Sequence, residues 1–359
     1  MTGSVWSSIH GKLHRTLRCQ QLLPASQRLL VAVSGGQDSL CLMQILLDLQ
    51  PKWSWELAIA HCNHGWRMDA DANAHHVAQL AEAWGVPYFY RHTTGLPPTE
   101  AAGRCWRYTT LAEIVQSHGY SGVVTGHTAS DRAETLLYNL VRGSGSDGLQ
   151  ALTWKRTLPT RVGSVLVIRP LLGIYRWETL AFCRDRNLRV WGDETNRSLT
   201  YARNRIREDI LPYLAEHLNG GVERHLAQTA DLLMAEVDYL ETVTDTWWKQ
   251  LEHVAQGILQ SNLGDWSMGE IMMVNQVGAS DDRRAGRFPL HRFTLSGAPL
   301  AIQRRIIRRW LRLQLGLEAN FNQVEKVVSL IPAPNGSQSD PFKFGIMARV
   351  RDGWLVLSR

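Results

Sequence analysis

Residues 29–49 read LLVAVSGGQDSLCLMQILLDL, and the reading of this stretch decides the fold. Leu29 to Val33 is a short β-type run, Ser34 to Ser39 is small and glycine-containing, and Leu40 to Leu49 is apolar over the length of a buried helix. A strand that turns through glycines into a helix opens an α/β nucleotide-binding unit. Gly35 and Gly36 let the backbone approach an anion, while the start of the helix offers free N–H groups and a partial positive charge. Ser34 and Ser39 add hydroxyls, and Gln37 completes the loop. No Lys follows the glycines as a Walker A loop requires, so a P-loop kinase or GTPase is disfavoured. Asp38 would repel bare phosphate, so its carboxylate makes sense as a holder of Mg²⁺ against the β- and γ-phosphates of a nucleotide.

Working outward, strands are expected at 57–61, 86–90, 122–126 and 165–168, with helices over 70–84, 101–118, about 130–142 and about 176–187. Alternation at this spacing implies a doubly wound, parallel, Rossmann-like α/β sheet covered on both faces. Leu211-Pro212 to Gly220-Gly221 marks a change of character. The expected organisation is a helical lead-in over 1–21, a catalytic domain over 22–215, and a mainly helical domain over 216–359 that ends in short strands. Pro332 to Ser339 is a turn-rich connector, and there is no internal repeat.

The 359 residues carry a formal charge of +6, and the basic side comprises 33 Arg and only six Lys. Such a balance suits a polyanionic partner, and the flat guanidinium suits phosphates and base faces. No stretch reaches the roughly 20 apolar residues needed to span a bilayer, and residues 1–19 lack an apolar signal core. The chain is therefore expected to work in the cytoplasm, or in the plastid stroma if organellar, with no membrane association and no evident protein partner. Five cysteines without a C-x-x-C pair disfavour a disulfide framework, a zinc knuckle or a cysteine-held cluster.

Further along, His61 and His64 are three apart, but no nearby Cys or carboxylate completes a metal site, so they are expected to line the nucleotide pocket at the end of the second strand. Arg104 and Arg107 share a helical face with Tyr108 alongside; the alternative is a solvated face. Asp131 and Glu134 begin a helix after the fourth strand, where they either face the cleft or stabilise the helix N-terminus. Arg203, Arg205 and Arg207 suit either phosphate binding or hinge ion pairs.

The loop with its preceding strand resembles that of the N-type ATP pyrophosphatases, the PP-loop superfamily, which cleave ATP between the α- and β-phosphates. Four segments are similar to those of the tRNA(Ile)-lysidine synthetase family within it: His61-Cys-Asn-His-Gly-Trp-Arg67, Glu100-Ala-Ala-Gly-Arg-Cys-Trp-Arg-Tyr108, Gly126-His-Thr-Ala-Ser-Asp-Arg-Ala-Glu-Thr135 with Arg142-Gly-Ser-Gly and Gly148-Leu149, and Asp193-Glu-Thr-Asn196 with Arg203-Asn-Arg-Ile-Arg207. Together they cover about 29–213. Two positions depart from the pattern: Ser130 stands where an Asp is usual, and Gly103 where Ala is usual.

The resemblance implies adenylation of the wobble cytidine of a CAU-anticodon tRNA(Ile) by ATP with Mg²⁺, followed by attack of the ε-amine of free L-lysine. It implies Asp38, Asp131, Glu134 and Arg104 as catalytic, with Ser34, Gly35, Gly36, Gln37, Asp38, Ser39, His61, Asn63, His64, Arg107 and His127 holding the nucleotide. Lysine's ammonium needs a proton acceptor and a negative clamp, for which Asp131 and Glu134 are the candidates. The nearest alternative is a tRNA thiolase of the same superfamily, disfavoured by the missing C-x-x-C. A catalytically silent RNA-binding protein is disfavoured by Asp38, Asp131 and Glu134.

Residues 283–317 hold nine Arg and no acid, whereas 218–282 carry a net charge of −9. Within 303–312, Arg304, Arg308 and Arg312 fall on one helical stripe with Arg305 and Arg309 adjoining it. These five, with Arg203, Arg205 and Arg207, are expected to bind tRNA. For the five, the competing reading is neutralisation of the acidic segment.

Overall fold

The computed structural model describes residues 6–97, 99–192, 202–261, 288–342 and 345–358. It divides into two compact units, Met1–Ala235 and Glu236–Arg359. The boundary expected at 215/216 falls within the first unit, whose last residues belong to the helix Val222–Ser261.

The first unit opens with α1 (Ser8–Cys19), β1 (Arg28–Ala32), α2 (Gln37–Trp53), β2 (Glu56–Asn63), α3 (Ala70–Ala83), β3 (Tyr88–His92), α4 (Glu100–His118), β4 (Val123–Thr125) and α5 (Ala129–Val141). It continues with the single turn α6 (Ser146–Leu149), β5 (Lys155–Thr160), β6 (Gly163–Ile168), α7 (Arg176–Asp185), α8 (Ala202–Arg205), a π-helical turn over Ile206–Ile210, α9 (Leu211–His217) and the start of α10 (Val222–Ser261). The sheet order is β3-β2-β1-β4-β6-β5, parallel throughout except for β5, which pairs antiparallel with β6. The doubly wound parallel sheet expected from the strand spacing is present. The edge strand β5 was not foreseen: it is mostly solvent-facing and contains Pro159, so it lacks the buried apolar run that marks the inner strands.

Leu29, Val31 and Val33 from the first strand pack with Leu40, Leu42, Ile45, Leu46 and Leu49 of α2 in one core. Leu13 and Leu17 of α1 lie fully buried in the same core. The helix of the lead-in expected over 1–21 thus packs into the first unit's core. His10 of α1 is completely buried and reaches Asp48 of α2 at 2.9 Å.

The second unit holds the rest of α10, β7 (Leu290–His291), α11 (Arg292–Ser296), α12 (Leu300–Leu315), α13 (Phe321–Val328), β8 (Met347–Arg351) and β9 (Trp354–Ser358). The last strands form a small antiparallel sheet, β7-β9-β8. Ile302, Ile306, Ile307, Trp310 and Leu311 bury the apolar side of α12 against Trp248, Leu251 and Ala255 of α10. No helix among the described residues is long and apolar enough to cross a membrane.

Candidate active site

In an open parallel sheet, ligands bind outside the carboxyl ends of the strands where the winding reverses. Here the reversal lies between β1 and β4, which neighbour each other in the sheet, and the loop from Ser34 and the turn from Gly126 both leave it there. The two segments nearly touch. A Cβ on Gly126 would lie 2.9 Å from the carbonyl of Asp38 and 3.0 Å from the Ser39 nitrogen, so only glycine admits this approach.

The glycine loop is held open by its own hydroxyls. Ser34 N donates to Ser39 Oγ at 3.1 Å, Ser39 Oγ donates to the Gly36 carbonyl at 2.9 Å, and Gly36 caps α2 in an extended conformation. Gly35 has φ +88°, and a Cβ there would overlap Asn73 Oδ1 at 2.2 Å. Asn73 Nδ2 donates to the Ser34 carbonyl at 2.9 Å, while its buried Oδ1 has no hydrogen-bond partner among the described residues. Asn73, on α3, is a loop-supporting residue that spacing alone did not reveal. Trp191 N donates to the Gly35 carbonyl at 3.0 Å, tying the loop to the segment after α7.

Asp38, Asp131 and Glu134 do converge, and a residue that the sequence reading missed stands between them. Arg176, in the first turn of α7, reaches Asp38 Oδ2 with Nε at 3.3 Å, Asp131 Oδ1 at 2.7 Å and Glu134 Oε1 at 2.8 Å. A signal existed: a cation in the first turn opposes the helix dipole, so it calls for anions from elsewhere. Arg207 holds Glu134 with two bonds, 2.7 and 2.8 Å, and lies 3.8 Å from Asp131. Glu134 is 1% exposed and committed to two guanidinium groups. Arg203 donates to Thr135 Oγ1 at 2.5 Å and approaches Glu100 at 3.4 Å. The ion-pair reading therefore describes Arg203 and Arg207 here, and Arg205 is exposed at the end of α8.

Asp131 also realises the helix-capping alternative. Thr128 donates to its Oδ2 through both N and Oγ1 at 2.8 Å, and Asp131 N donates back to Thr128 Oγ1 at 3.3 Å. Burial pushes the Asp131 carboxyl up, but Arg176 and the Thr128 hydrogen bonds outweigh it and hold it below the usual carboxylate range. For Asp38 the balance reverses: burial, with the nearby Asp131 charge, raises its carboxyl despite Arg176 and a hydrogen bond donated by Thr179 Oγ1. Burial likewise holds the His127 imidazole neutral, with Nδ1 2.8 Å from Thr125 Oγ1. Ser130, in place of the usual carboxylate, is buried and accepts the Arg176 backbone N–H at 3.0 Å, so it seats the start of α7 without adding charge.

Several residues expected in the nucleotide pocket have partners within the first unit. Gln37 spends its amide on the Arg176 carbonyl at 2.7 Å and Thr179 Oγ1 at 3.1 Å, so it clamps α7 to α2. Asn63 donates to Asp71 at 2.8 Å and Tyr90 at 3.0 Å and accepts from Gly65 N at 2.8 Å, which leaves it a structural residue of the turn after β2. His61 is buried against Val33 O at 2.8 Å. His64 leans on Trp66 and Trp106, with ring centroids 5.0 Å away in each case. Arg104 lies 4.9 Å over the Tyr108 ring, and Arg107 is exposed. The segment Asp193 to Asn196 lies outside the described residues.

No group of three metal-ligating side chains exists among the described residues. Mg²⁺ characteristically takes one or two carboxylates and completes its shell with water and substrate phosphates. Asp38 and Asp131, hard oxygen donors bridged by Arg176 beside the glycine loop, fit that mode of binding.

On α12, Arg305 and Arg309 bind Glu241 of α10, and Arg309 also pairs with Asp245 at 2.6 Å. Arg304 takes Glu325 at 2.7 Å. These three, expected to face tRNA, have intramolecular carboxylate partners; Arg305 is buried, because the stripe it adjoins is the one α12 packs with. Arg312 is exposed, and Arg308 is half-buried.

A PP-loop domain family matches residues 11–214. The tRNA(Ile)-lysidine synthase of Nostoc sp. is 49% identical over 353 residues, 98% of this chain and 97% of that protein. That of Synechocystis sp. is 45% identical over 355 residues, covering 98% and 97%. A chloroplastic tRNA(Ile)-lysidine synthase from Zygnema circumcarinatum is 34% identical, covering 88% and 78%. Among solved structures, a tRNA thiolase of Methanococcus maripaludis superposes with a TM-score of 0.51 at 18% identity, over 63% of this chain and 78% of that one, a likeness of fold.

Proposed function

This chain belongs to the tRNA(Ile)-lysidine synthases of the PP-loop family, and on that premise we propose how its residues divide the work of an ATP-dependent ligase that modifies tRNA. The observation that carries the reading is the meeting of the glycine loop with Asp38, Asp131 and Arg176 at the reversal point of the sheet. Oxygen 2 of the wobble cytidine in a CAU anticodon attacks the α-phosphorus of ATP and pyrophosphate leaves. The lysine ε-nitrogen then forms its bond to carbon 2 as the carbon–oxygen bond breaks, AMP leaves and the amine gives up its protons.

In this division the Ser34–Ser39 loop receives the departing pyrophosphate through backbone N–H groups. Asp38 and Asp131 would hold Mg²⁺, which when bound neutralises charge growing on the phosphates. Arg104 is the cation nearest in type to what the α-phosphate requires. Asp131 keeps its charge through the pH range in which lysine is protonated, so it attracts and orients the ammonium, while the proton the amine loses passes to solvent because a carboxyl held that low is a weak base. Glu134 acts as a positioning residue, fixing Arg176 and Arg207 around Asp131.

The test is incubation with ATP, labelled lysine and a CAU-anticodon tRNA(Ile) transcript. Lysine should enter the transcript with one AMP and one pyrophosphate released per event. Incorporation of sulfur from cysteine instead, without lysine, would favour the thiolase reading.

For the second unit we propose that the tRNA contact on α12 is carried by the exposed Arg312. Arg312→Gln should reduce the salt dependence of tRNA binding by about one unit with the melting temperature kept. Arg305→Met, removing a buried guanidinium from a half-exposed Glu241, should instead cost ~2 kcal/mol of stability and leave the salt slope alone. Equal slopes for wild type and Arg312→Gln would move the footprint off this helix.

A further inference from the structure

A lone exposed tryptophan on a protein surface carries no argument by itself. Trp66 is different because the surrounding chain is shaped to it. It follows β2, is 40% exposed, and rests on His64 with ring centroids 5.0 Å apart. His64 in turn meets Trp106 of α4 edge-on at 5.0 Å. The indole Nε1 donates to the Leu96 carbonyl at 3.4 Å, fixing the ring's polar edge. Beneath it lies Gly103, where a Cβ would come within 2.6 Å of Trp66 Cη2 and 3.2 Å of His64. The glycine that interrupts a helix otherwise suited to alanine therefore makes room for this ring, although glycine inside a helix costs roughly 0.5–1 kcal/mol.

The setting is cationic and next to the reaction site. Arg107 is exposed on the same helix and its charge acts on His64, which burial and that charge together lower to about 4, so the imidazole is neutral at physiological pH. Arg104, one position from Gly103, acts on His127 at the β4 turn. Glu100, in the first turn of α4, meets Arg203, which is bonded to Thr135 of α5. A flat apolar face flanked by arginines suits an unpaired base on a phosphate backbone better than it suits an acidic peptide, which offers nothing to stack.

We propose that Trp66, supported by His64, Trp106 and the space left by Gly103, is a stacking platform for one unpaired base of the tRNA anticodon loop. The base stacks on the exposed indole face, Arg107 meets the adjoining phosphate, and the contact helps to hold the loop while the wobble cytidine reaches Asp38 and Asp131. The proposal rests on the tRNA-modifying reading given above, and its test separates the two.

The full chain is titrated with a CAU-anticodon tRNA(Ile) transcript in wild-type, Trp66→Leu and Trp66→Phe forms. Trp66→Leu should weaken tRNA binding about tenfold and Trp66→Phe should recover most of it, with KM for ATP within twofold and the salt slope unchanged. In parallel, transcripts carrying 2-aminopurine at successive anticodon-loop positions should show one position whose fluorescence is quenched by wild type and Trp66→Phe but not by Trp66→Leu at saturating protein. Unchanged tRNA affinity in Trp66→Leu, or a rise in ATP KM without loss of tRNA affinity, overturns the proposal; the latter places adenine on the ring. Quenching that is identical in all three proteins also overturns it. If wild type itself fails to bind the transcript, the tRNA-modifying reading falls instead.

Discussion

Replacing Asp38 by Asn should abolish adenylate formation while leaving the fold and tRNA binding intact. The amide keeps the shape of the carboxylate and can still accept from Thr179 Oγ1, so what is removed is the charge. That charge is expensive to maintain: Asp38 is largely buried beside Asp131, and its carboxyl is raised above the ordinary range despite Arg176. An ionised group whose folded pKa is raised stabilises nothing at neutral pH; its contribution is present below the unfolded pKa and lost as pH rises through the folded one. The Asn variant should therefore melt no lower than wild type at pH 8. Pyrophosphate release with ATP and transcript should fall at least a thousandfold, about 4 kcal/mol, in line with the several kcal/mol that charge stabilisation of a phosphoryl group provides. Dissociation of the transcript should stay within twofold. Normal pyrophosphate release, or a melting temperature low enough to explain the loss, would show that Asp38 serves the fold and not the phosphates.

How much of this site could be read from sequence depends on where each partner lies in the chain. The loop over Ser34–Ser39 and the pair Asp131 and Glu134 are local patterns, each confined to a few residues after a strand, and both are found at the reversal point of the sheet. Arg176 and Thr179 come from a helix some 140 residues beyond Asp38, and only the register of α7 against α2 brings them to it. No spacing rule encodes that contact, apart from the anomaly of a cation in a helix's first turn. The same limit applies to Asn63 and Gln37. Their residue types suit ligand binding, yet the side-chain amide nitrogens of both are engaged by tertiary contacts with Asp71, Tyr90 and Thr179. On α12 the periodicity gave the correct apolar side, but the choice between RNA phosphates and Glu241 for Arg305 and Arg309 depended on where α10 packs.

Arg176→Met should destabilise the protein by an amount that grows with pH. One guanidinium meets Asp38, Asp131 and Glu134 at 3.3, 2.7 and 2.8 Å, and without it Arg207 remains on Glu134 but only 3.8 Å from Asp131. Removing one partner of a buried charge cluster typically costs about 3–5 kcal/mol, and because Arg176 keeps a quarter of its side chain exposed we expect ~3 kcal/mol at pH 8. For a domain of this size that corresponds to a fall of roughly 6–12 °C in melting temperature. The pH dependence follows from the two aspartates. In the wild type, the depressed Asp131 contributes stability that is present above its unfolded pKa of about 3.9 and lost as pH falls through its folded value, while the raised Asp38 runs the opposite way. The Asp131 trend is complete by about pH 4, where the Asp38 trend begins, so the two act in successive windows. Without Arg176 the two carboxylates have each other's charge and burial to contend with, so both folded pKa values rise and both terms favour low pH. The melting deficit should therefore be largest at pH 8 and shrink toward pH 5, where protonation relieves the repulsion. A deficit that is constant from pH 5 to 8 would mean that Arg176 contributes packing and the seating of α7 through Ser130 and Gln37. In that case the carboxylate cluster would draw its charge balance from Arg207 and Arg203 instead.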